Sequence, residues 1–260
     1  MAVFRAKQAE SSSGVGKGIA PHSVRYADYL QLKIDSIAHR RKGEKTRDLL
    51  KLGAIKVLDD KGYHAMRISD ICAAAGVAAA TFYIYFENKE EITRLVLTEY
   101  LDASMELMAV SSQQRNPYKT ILETNQRWLE VVEANAGLMR CILQLGDEVE
   151  EFRDLAHGSN RQWYERVARA ILRDHPNSSI PFEVALFASY ALGSMMDELA
   201  RKLVIHPDPA FVSLTRMVAP NRDALAEILT VLWHHTLYGP VPEKGKLSES
   251  ARQMASLVSS

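Results

Sequence analysis

The chain has 260 residues, of which 47% are hydrophobic and 25% charged, the composition of an ordinary globular protein long enough for a sizeable core. Its formal charges cancel to zero, so the net charge neither favours nor excludes an anionic partner. No apolar run reaches about 18 residues, and the first residues lack the apolar segment of a secretory signal. We therefore expect no membrane partner and a cytoplasmic location.

The first part of the chain is basic. Residues 1–47 carry ten Lys or Arg and four acidic residues, so this segment has a net charge of +6 and the remainder −6. A basic end on an acidic body is typical of a protein that contacts a polyanion at one end, and a solvated basic tail has the same composition. Both interpretations stay open at this point.

Residues 1–43 form a predicted N-terminal extension. Residues 1–22 are rich in Ser and Gly and lack periodicity, so we expect disorder there. From about residue 23 to 41, apolar residues recur at intervals of three and four, which predicts a helix. This helix ends in the basic stretch Arg40-Arg41-Lys42.

Three short helices and the start of a longer one are predicted next, over about 45–60, 68–75, 78–84 and 89–109. Gly62 ends the first helix and Gly76 the second. Gly76 can adopt a positive φ at little cost, and Val77 fills the angle between the second and third helices. Two short helices joined by a tight turn with glycine predict a helix-turn-helix, here a DNA-binding domain over 44–90.

The rest of the chain is also helical in pattern, with no strand-like alternation. Helices are predicted over about 117–134, 136–145, 148–173, 181–204 and 222–238, and Asn221 is a predicted N-cap. The fold class is therefore all-α, with a three-helix helix-turn-helix domain followed by a larger helical domain. We assign 91–240 to effector binding and dimerisation and 241–260 to a C-terminal tail.

The helix-turn-helix region resembles the N-terminal signature of the TetR family of bacterial transcriptional regulators. The resemblance covers residues 45–92 and is carried, in order, by Lys61-Gly62-Tyr63, Ile68-Ser69-Asp70-Ile71-Cys72, Ala75-Gly76-Val77, Thr81-Phe82-Tyr83-Ile84-Tyr85-Phe86 and Asn88-Lys89-Glu90. It implies a double-stranded DNA operator as partner. It also implies a homodimer that responds to a small-molecule effector.

The resemblance implies roles for single residues. Tyr83, Tyr85 and Lys89 match positions that contact phosphates, which set affinity without reading sequence. Thr81 lies in the recognition helix, and Arg67 replaces a Thr that often begins the preceding helix. The family's recognition helix usually opens with Ser, whereas this chain has Ala78-Ala79-Ala80. Ala79 can contact a thymine methyl but offers no hydrogen bond, so direct readout is sparse.

The N-terminal extension offers a way to supplement this sparse readout. Arg40, Arg41 and Lys45 belong to the densest basic cluster of the chain. A basic arm entering the minor groove would respond to groove width and A·T content. The alternatives are a flexible solubilising tail, or a helix over 23–41 that packs on the rest of the protein.

The C-terminal helices carry the predicted dimer and effector residues. Long helices with small residues on one stripe suit a four-helix interface between two copies, although burial within one chain gives the same pattern. The expected dimer residues are Leu192, Met196, Leu199, Leu225 and Leu232. Large apolar side chains with a few polar groups suit an effector pocket, and plain core again looks alike. The expected pocket residues are Trp128, Met139, Trp163, Tyr164, Phe187 and Tyr190.

Catalytic and metal sites are not indicated. HExxH, GxSxG and P-loop motifs are absent, and the adjacent His234 and His235 point about 100° apart on a helix. Cys72 and Cys141 are predicted to be reduced core thiols. We therefore expect a DNA-binding regulator without cofactor, metal or enzymatic activity, most simply a repressor released by a small hydrophobic effector. The alternative is a helical adaptor or ligand-binding protein that does not bind DNA.

Overall fold

The computed structural model describes residues 24–36, 41–108, 116–177, 179–239 and 247–257. Residues 1–23 and Arg40, for which we expect disorder and a DNA contact, lie outside the described residues. Within the described ranges the regular structure is helical, without strands. The α-helices are α1 (Tyr26–Ser36), α2 (Lys42–Ala65), α3 (Ile68–Ala75), α4 (Ala79–Tyr85), α5 (Lys89–Leu107), α6 (Pro117–Ala134), α7 (Ala136–Glu148), α8 (Glu150–Asp174), α9 (Phe182–Ala200), α10 (Pro209–Val218), α11 (Arg222–Tyr238) and α12 (Glu249–Leu257).

The predicted helices are confirmed in order and approximate length, with three differences. The helix expected over 23–41 is described only as Tyr26–Ser36. The helix expected to end at 204 is α-helical to Ala200 and continues as a π-helix over Arg201–Ile205. Two helices, α10 and α12, have no counterpart among the predictions.

The residues predicted to mark helix ends do so at a C-terminus, Gly62, and at an N-terminus, Asn221. Gly62 interrupts α2 with a φ of 75°, so the regular part of α2 ends near Lys61 as expected. Asn221 caps α11, since its side chain accepts the Ala224 N–H at 2.9 Å.

The chain forms two compact units. Among the described residues, the first unit comprises 24–36, 41–107 and 133–160, which hold α1 to α5, α7 and the beginning of α8. Its core includes buried side chains from each of these helices: Tyr26, Leu50, Leu58, Ile71, Phe82, Ile92, Leu97, Tyr100, Leu145 and Phe152. The domain boundaries expected at 43, 90 and 240 stay a prediction.

Of the described residues, the second unit comprises Met108 and the ranges 116–132, 161–177, 179–239 and 247–257. Its core is built mainly from α9 and α11, with contributions from α6 and α12: Leu129, Met196, Leu203, Leu225, Leu229, Trp233, Leu247 and Ala251. In the part of the chain that is described, no single helix has the length and apolarity to cross a membrane. The bent pair of α3 and α4 meets those criteria by length and composition alone.

Candidate nucleic-acid interface

A glycine brings α2 and α3 together at the base of the helix-turn-helix. A Cβ built on Gly53 of α2 would lie 2.6 Å from the carbonyl oxygen of Ile71 and 3.1 Å from Cβ of Ala75. These separations are too short for any side chain, so α3 can pack at this distance only because residue 53 is glycine. Leu50 and Ile71 fill the contact and are fully buried.

The turn between α3 and α4 is set by Gly76. Its φ of 68° and ψ of 31° are left-handed, and its N–H donates to the carbonyl of Ala73 at 3.3 Å. The Val77 N–H donates to Cys72 at 3.0 Å, which completes the glycine-ended helix terminus. The axes of α3 and α4 consequently enclose 99°, within the range of helix-turn-helix motifs.

The recognition helix α4 is anchored by aromatic side chains and exposes its other face. Phe82 and Phe86 are buried at 0% and 2% exposure. Tyr83 and Ile84, which follow Phe82, are 63% and 75% exposed. Ala78, Ala79 and Ala80 are exposed, and Ala78 caps the helix without a side-chain hydrogen bond. The start of α4 therefore presents methyl groups, as the sequence predicts.

Arg67 lies at the start of α3 with an exposed side chain. Its backbone N–H donates to the Asp70 carboxylate at 3.1 Å, and Lys61 forms an ion pair with the same carboxylate at 3.0 Å. Hydrogen bonds from Lys61 and from the Arg67 backbone hold the pKa of Asp70 below its usual range. The bond to Asp70 thus fixes the Arg67 backbone at the start of α3, while the Arg67 side chain is exposed.

The beginning of α2 carries the exposed basic residues Arg41, Lys42, Lys45 and Arg47. The Arg47 guanidinium lies 5.5 Å from the ring centre of Phe86, so α2 and the end of α4 are neighbours. A Cβ built on Gly43 would lie 3.4 Å from the Tyr85 hydroxyl, so the Tyr85 ring also lies beside the beginning of α2. Tyr85 is half-buried and packs on the core, so its ring supports α4.

Lys89 has internal partners. Its Nζ donates to the carbonyl oxygens of Tyr63 at 3.2 Å and Met66 at 3.3 Å, and it lies 4.5 Å from the centre of the Tyr63 ring. The half-buried ammonium therefore satisfies carbonyls at the end of α2, beyond the break at Gly62. Sequence reasoning missed this role. The expected phosphate contact stays a prediction.

The expected effector residues are divided between the two units. Met139 packs on the core of the first unit, whereas Trp128 packs on the core of the second. Tyr164 is buried, and its hydroxyl donates to the Asp197 carboxylate at 2.9 Å. Phe187 is 76% exposed, so within one chain it lies on the surface of α9. The pocket assignment stays a prediction, and Trp163 is half-buried.

The expected dimer residues stay a prediction, and they differ in how much surface they expose. Met196 and Leu225 are only 5% and 6% exposed in the single chain, so they have almost no surface to offer a partner. Leu192 and Leu199 pack on the same core from α9, and Leu232 is half-buried. The exposed apolar residues of α9 lie on its opposite side and are Val184, Phe187 and Tyr190. A stripe of apolar residues in sequence does not tell which part of a broad apolar helix faces the chain's own core.

Three comparisons with known proteins agree with this geometry. The family model "Bacterial regulatory proteins, tetR family" matches residues 52–96, which run from α2 into α5. The HTH-type transcriptional regulator EthR of Mycolicibacterium smegmatis is 23% identical over 197 residues, 73% of this chain and 84% of the relative. The fatty acid metabolism regulator protein of Bacillus subtilis is 40% identical over 55 residues, 21% of this chain and 28% of the relative.

The fold has counterparts among solved structures. A putative transcriptional regulator from Saccharomonospora viridis, solved in complex with choline, aligns with a TM-score of 0.58 at 16% identity. The alignment covers 75% of this chain and 98% of that structure, so the similarity extends well beyond the helix-turn-helix. Together with the 99° helix pair and the exposed start of α4, these findings show a TetR-type helix-turn-helix over residues 52–96 and support a DNA-binding transcriptional regulator.

Proposed function

We propose that the chain is a homodimeric repressor that binds a twofold operator through α4 and is released by a small, largely apolar effector. The observation that carries the DNA contact is the exposed start of α4, which Gly76 and the buried Phe82 hold at 99° to α3. A short helix presented in this way fits the major groove with its first residues at the base edges. Its site of action is the bacterial cytoplasm.

The contacts with DNA are divided between positioning and reading. Arg67, Tyr83 and Lys45 are exposed groups that can donate hydrogen bonds to phosphates, with Tyr85 and Lys89 half-buried beside them. Ala79 and the half-buried Thr81 are the groups available for base edges on α4. Because alanine reads only a thymine methyl, this division predicts an interface in which phosphate contacts supply most of the affinity.

The dimer is proposed to form on the exposed face of α9. Val184, Phe187 and Tyr190 are 54%, 76% and 36% exposed and recur at intervals of three, so they line one face of the helix. An exposed apolar face on a long helix marks a protein–protein contact, and a twofold interface uses the same face on both copies. The isologous pairing matches a twofold operator.

Release by an effector follows from differential binding. An effector shifts the population away from the DNA-bound form only if it binds the other form more tightly. The choline complex of the Saccharomonospora viridis regulator is an example of this fold holding a small organic molecule. The name of the Bacillus subtilis relative refers to fatty acid metabolism, which is compatible with an apolar effector.

The DNA-binding proposal is tested by selecting duplexes from a random pool with the full chain and measuring affinity by fluorescence anisotropy. The selected sites should be inverted repeats. Tyr83→Phe, which removes one phosphate donor, should weaken binding about fivefold, the equivalent of one hydrogen bond of about 1 kcal/mol. Tyr238→Phe on α11, far along the chain from the helix-turn-helix, is the matched control and should leave the affinity unchanged. Failure to enrich any duplex would overturn the proposal.

A further inference from the structure

The segment formed by residues 24–36, called here the strap, packs along the DNA-binding unit. It consists of the residues just before α1 and α1 itself, and its apolar side is buried: Tyr26, Ala27, Leu30 and Ile34 are each at most 6% exposed. The Tyr26 ring lies 5.5 Å from the ring of Tyr100 on α5. Burial of four apolar side chains in an eleven-residue helix excludes a freely flexible tail for these residues.

One asparagine holds the beginning of the strap. The Asn135 side chain accepts the Tyr26 N–H through Oδ1 and donates to the Val24 carbonyl through Nδ2, each at 2.8 Å. Asn135 is the N-cap of α7, yet its side chain makes no capping bond to that helix. It is only 2% exposed. Both halves of a buried amide are therefore committed to the backbone of the strap, and an amide so placed is costly to leave unpaired.

A second set of contacts joins the strap to α2. Arg25 pairs with the Asp59 carboxylate at 2.9 Å, and the other oxygen of Asp59 accepts the Gly137 N–H of α7 at 3.2 Å. A Cβ on Gly137 would overlap the Asp59 backbone, so α7 begins in direct contact with α2. The start of the strap thus lies where α2 and α7 meet.

A third set joins the strap to α5. The Tyr26 hydroxyl donates to Glu99 at 3.4 Å, and Glu99 also receives the buried Lys51 ammonium at 2.9 Å. Farther along, the Tyr29 hydroxyl donates to Glu106 at 3.1 Å, one residue before the end of α5. The strap therefore follows the second half of α5 while its beginning is held at α7.

The chain connectivity gives these contacts a consequence. The chain leaves the first unit after Leu107 and re-enters it at Glu133. The strap contacts Glu106 beside the exit and Asn135 beside the re-entry. Within the first unit, the strap therefore holds α5 close to its end and α7 at its start.

We propose that the strap is a conformational brace that ties the exit and re-entry segments and so fixes α5 in the DNA-competent arrangement, with Asn135 as its positioning residue. The proposal rests on the proposed DNA-binding function. Loss of the brace raises the population of arrangements in which α5 is displaced, and a displaced α5 lowers the population that binds operator.

The test uses the full chain and a duplex selected by it. Asn135→Ala removes both strap hydrogen bonds, and Asn125→Ala is the matched control, because Asn125 is also buried and donates to Thr230 within the second unit. Asn135→Ala should raise the operator Kd about tenfold, within the usual range of couplings between sites, whereas Asn125→Ala should not change it. Amide hydrogen exchange should accelerate in α5 for Asn135→Ala only.

A milder pair covers the case in which Asn135→Ala does not fold. Tyr29→Phe removes the exposed hydrogen bond to Glu106, and Tyr238→Phe removes a similar exposed bond, from Tyr238 to Asp174 in the second unit. Tyr29→Phe should raise Kd and the exchange rate at the end of α5, and Tyr238→Phe should do neither. Unchanged α5 exchange and unchanged Kd in the strap variants overturn the brace. If the parent binds no duplex, the proposed function is wrong. The rate of amide hydrogen exchange in α5 of the strap variants then still tests the brace.

Discussion

Lys89 and Tyr63 are joined by two interactions at the junction of α2 and α5. The Lys89 ammonium donates to the Tyr63 carbonyl oxygen at 3.2 Å and lies 4.5 Å from the centre of the same residue's ring. It also donates to Met66 at 3.3 Å, so it bonds two carbonyls of the segment that follows Gly62. The family resemblance implies that Lys89 contacts a phosphate, whereas in the structure its ammonium bonds backbone carbonyls of the protein. The ammonium has three N–H donors, so the third can bond a phosphate while the other two bond Tyr63 and Met66.

Replacing Lys89 separates these two roles. Lys89→Met keeps a flexible apolar chain against Tyr63 and removes the hydrogen bonds, so the free energy of unfolding should fall by about 1–2 kcal/mol. If Lys89 also contacts phosphate, binding to all duplexes should weaken equally, and the slope of log K against log salt should become shallower by about one unit. Lys56→Met, an exposed position on α2, should change neither quantity. An unchanged salt slope would leave Lys89 with the internal role alone.

Replacing glycine by alanine should change the free energy of unfolding in opposite directions at Gly53 and Gly158. Gly53→Ala places a Cβ against the Ile71 carbonyl, which is backbone and cannot turn away, so unfolding should become easier by about 1–3 kcal/mol. Gly158→Ala, within α8, meets nothing within 4 Å and should stabilise the chain by about 0.5–1 kcal/mol. Urea denaturation of both variants measures the difference. Gly53→Ala should also weaken DNA binding, because α3 supports α4.

The dimer proposal is tested on α9. Phe187→Asp puts a charge in the centre of the exposed apolar face and should give folded monomers, since an unpaired charge is poorly tolerated in an apolar interface. Sedimentation velocity distinguishes monomer from dimer, and circular dichroism checks the fold. Met217→Asp on α10, where the side chain is 82% exposed, is the matched control and should remain dimeric. A dimeric Phe187→Asp with a monomeric Met217→Asp would move the interface to α10.

The order of the helices is readable in the sequence because caps and glycines mark their ends. Gly62, Gly76 and Asn221 act as expected. Helix α10 is missed although its start follows the same rules: Asp208 accepts the N–H groups of Ala210 and Phe211, and Pro209 is the first helical residue. Pro207 and Pro209 indicate a loop between helices unless Asp208, which lies between them, is recognised as an N-cap.

Burial is less readable than helix position. The apolar stripe of α9 is broad, and sequence alone does not show that Met196 faces the core while Phe187 faces solvent. The same limit applies to Asn135, because its bonds join residues more than 100 positions apart. Long-range partners of a polar side chain leave no local pattern, so the attachment of the strap to Asn135 is visible only in the structure.

His234 should make the second unit sensitive to acid. Burial lowers the pKa of this imidazole below its ordinary value of 6.5, and His235 lowers it further, against a hydrogen bond to Gly239. The unfolded chain then binds a proton more readily, so stability is fully present above about pH 6.5 and declines as the pH falls through the folded-state pKa. The decline is at most about 1.4 kcal/mol per pH unit for one proton.

His234→Phe should flatten this pH dependence, because phenylalanine keeps an aromatic ring between Tyr118 and Tyr238 and does not titrate. Urea denaturation between about pH 5 and 8 measures the slope. His157→Gln, at an exposed position on α8, is the control and should retain the slope of the parent. Parallel curves for His234→Phe and the parent would assign the acid sensitivity to other groups.

The basic residues at the start of α2 lead to the last prediction. Arg41 and Lys45 are exposed there, and the neighbouring backbone at Gly43 passes the Tyr85 hydroxyl, so the cluster lies beside the recognition helix. Arg40, expected to act with them, is outside the described residues. Deleting residues 1–43 would remove the strap together with Arg40 and Arg41, and the result would not separate an arm from a brace. Point substitutions on an intact strap are therefore required.

Arg40→Ala combined with Arg41→Ala keeps the strap and removes the two charges. If these arginines enter the minor groove, operator affinity should fall by about 1–3 kcal/mol, and the loss should be greater with A·T flanks, whose narrow groove attracts arginine. If they contact only phosphates, the loss should be equal on A·T and G·C flanks. Arg166→Ala combined with Arg173→Ala removes two exposed charges from α8 and should not change binding. Equal affinities for the Arg40/Arg41 variant and the parent, on both flanks, would remove the extension's arginines from the DNA interface and leave residues 24–36 as its contribution.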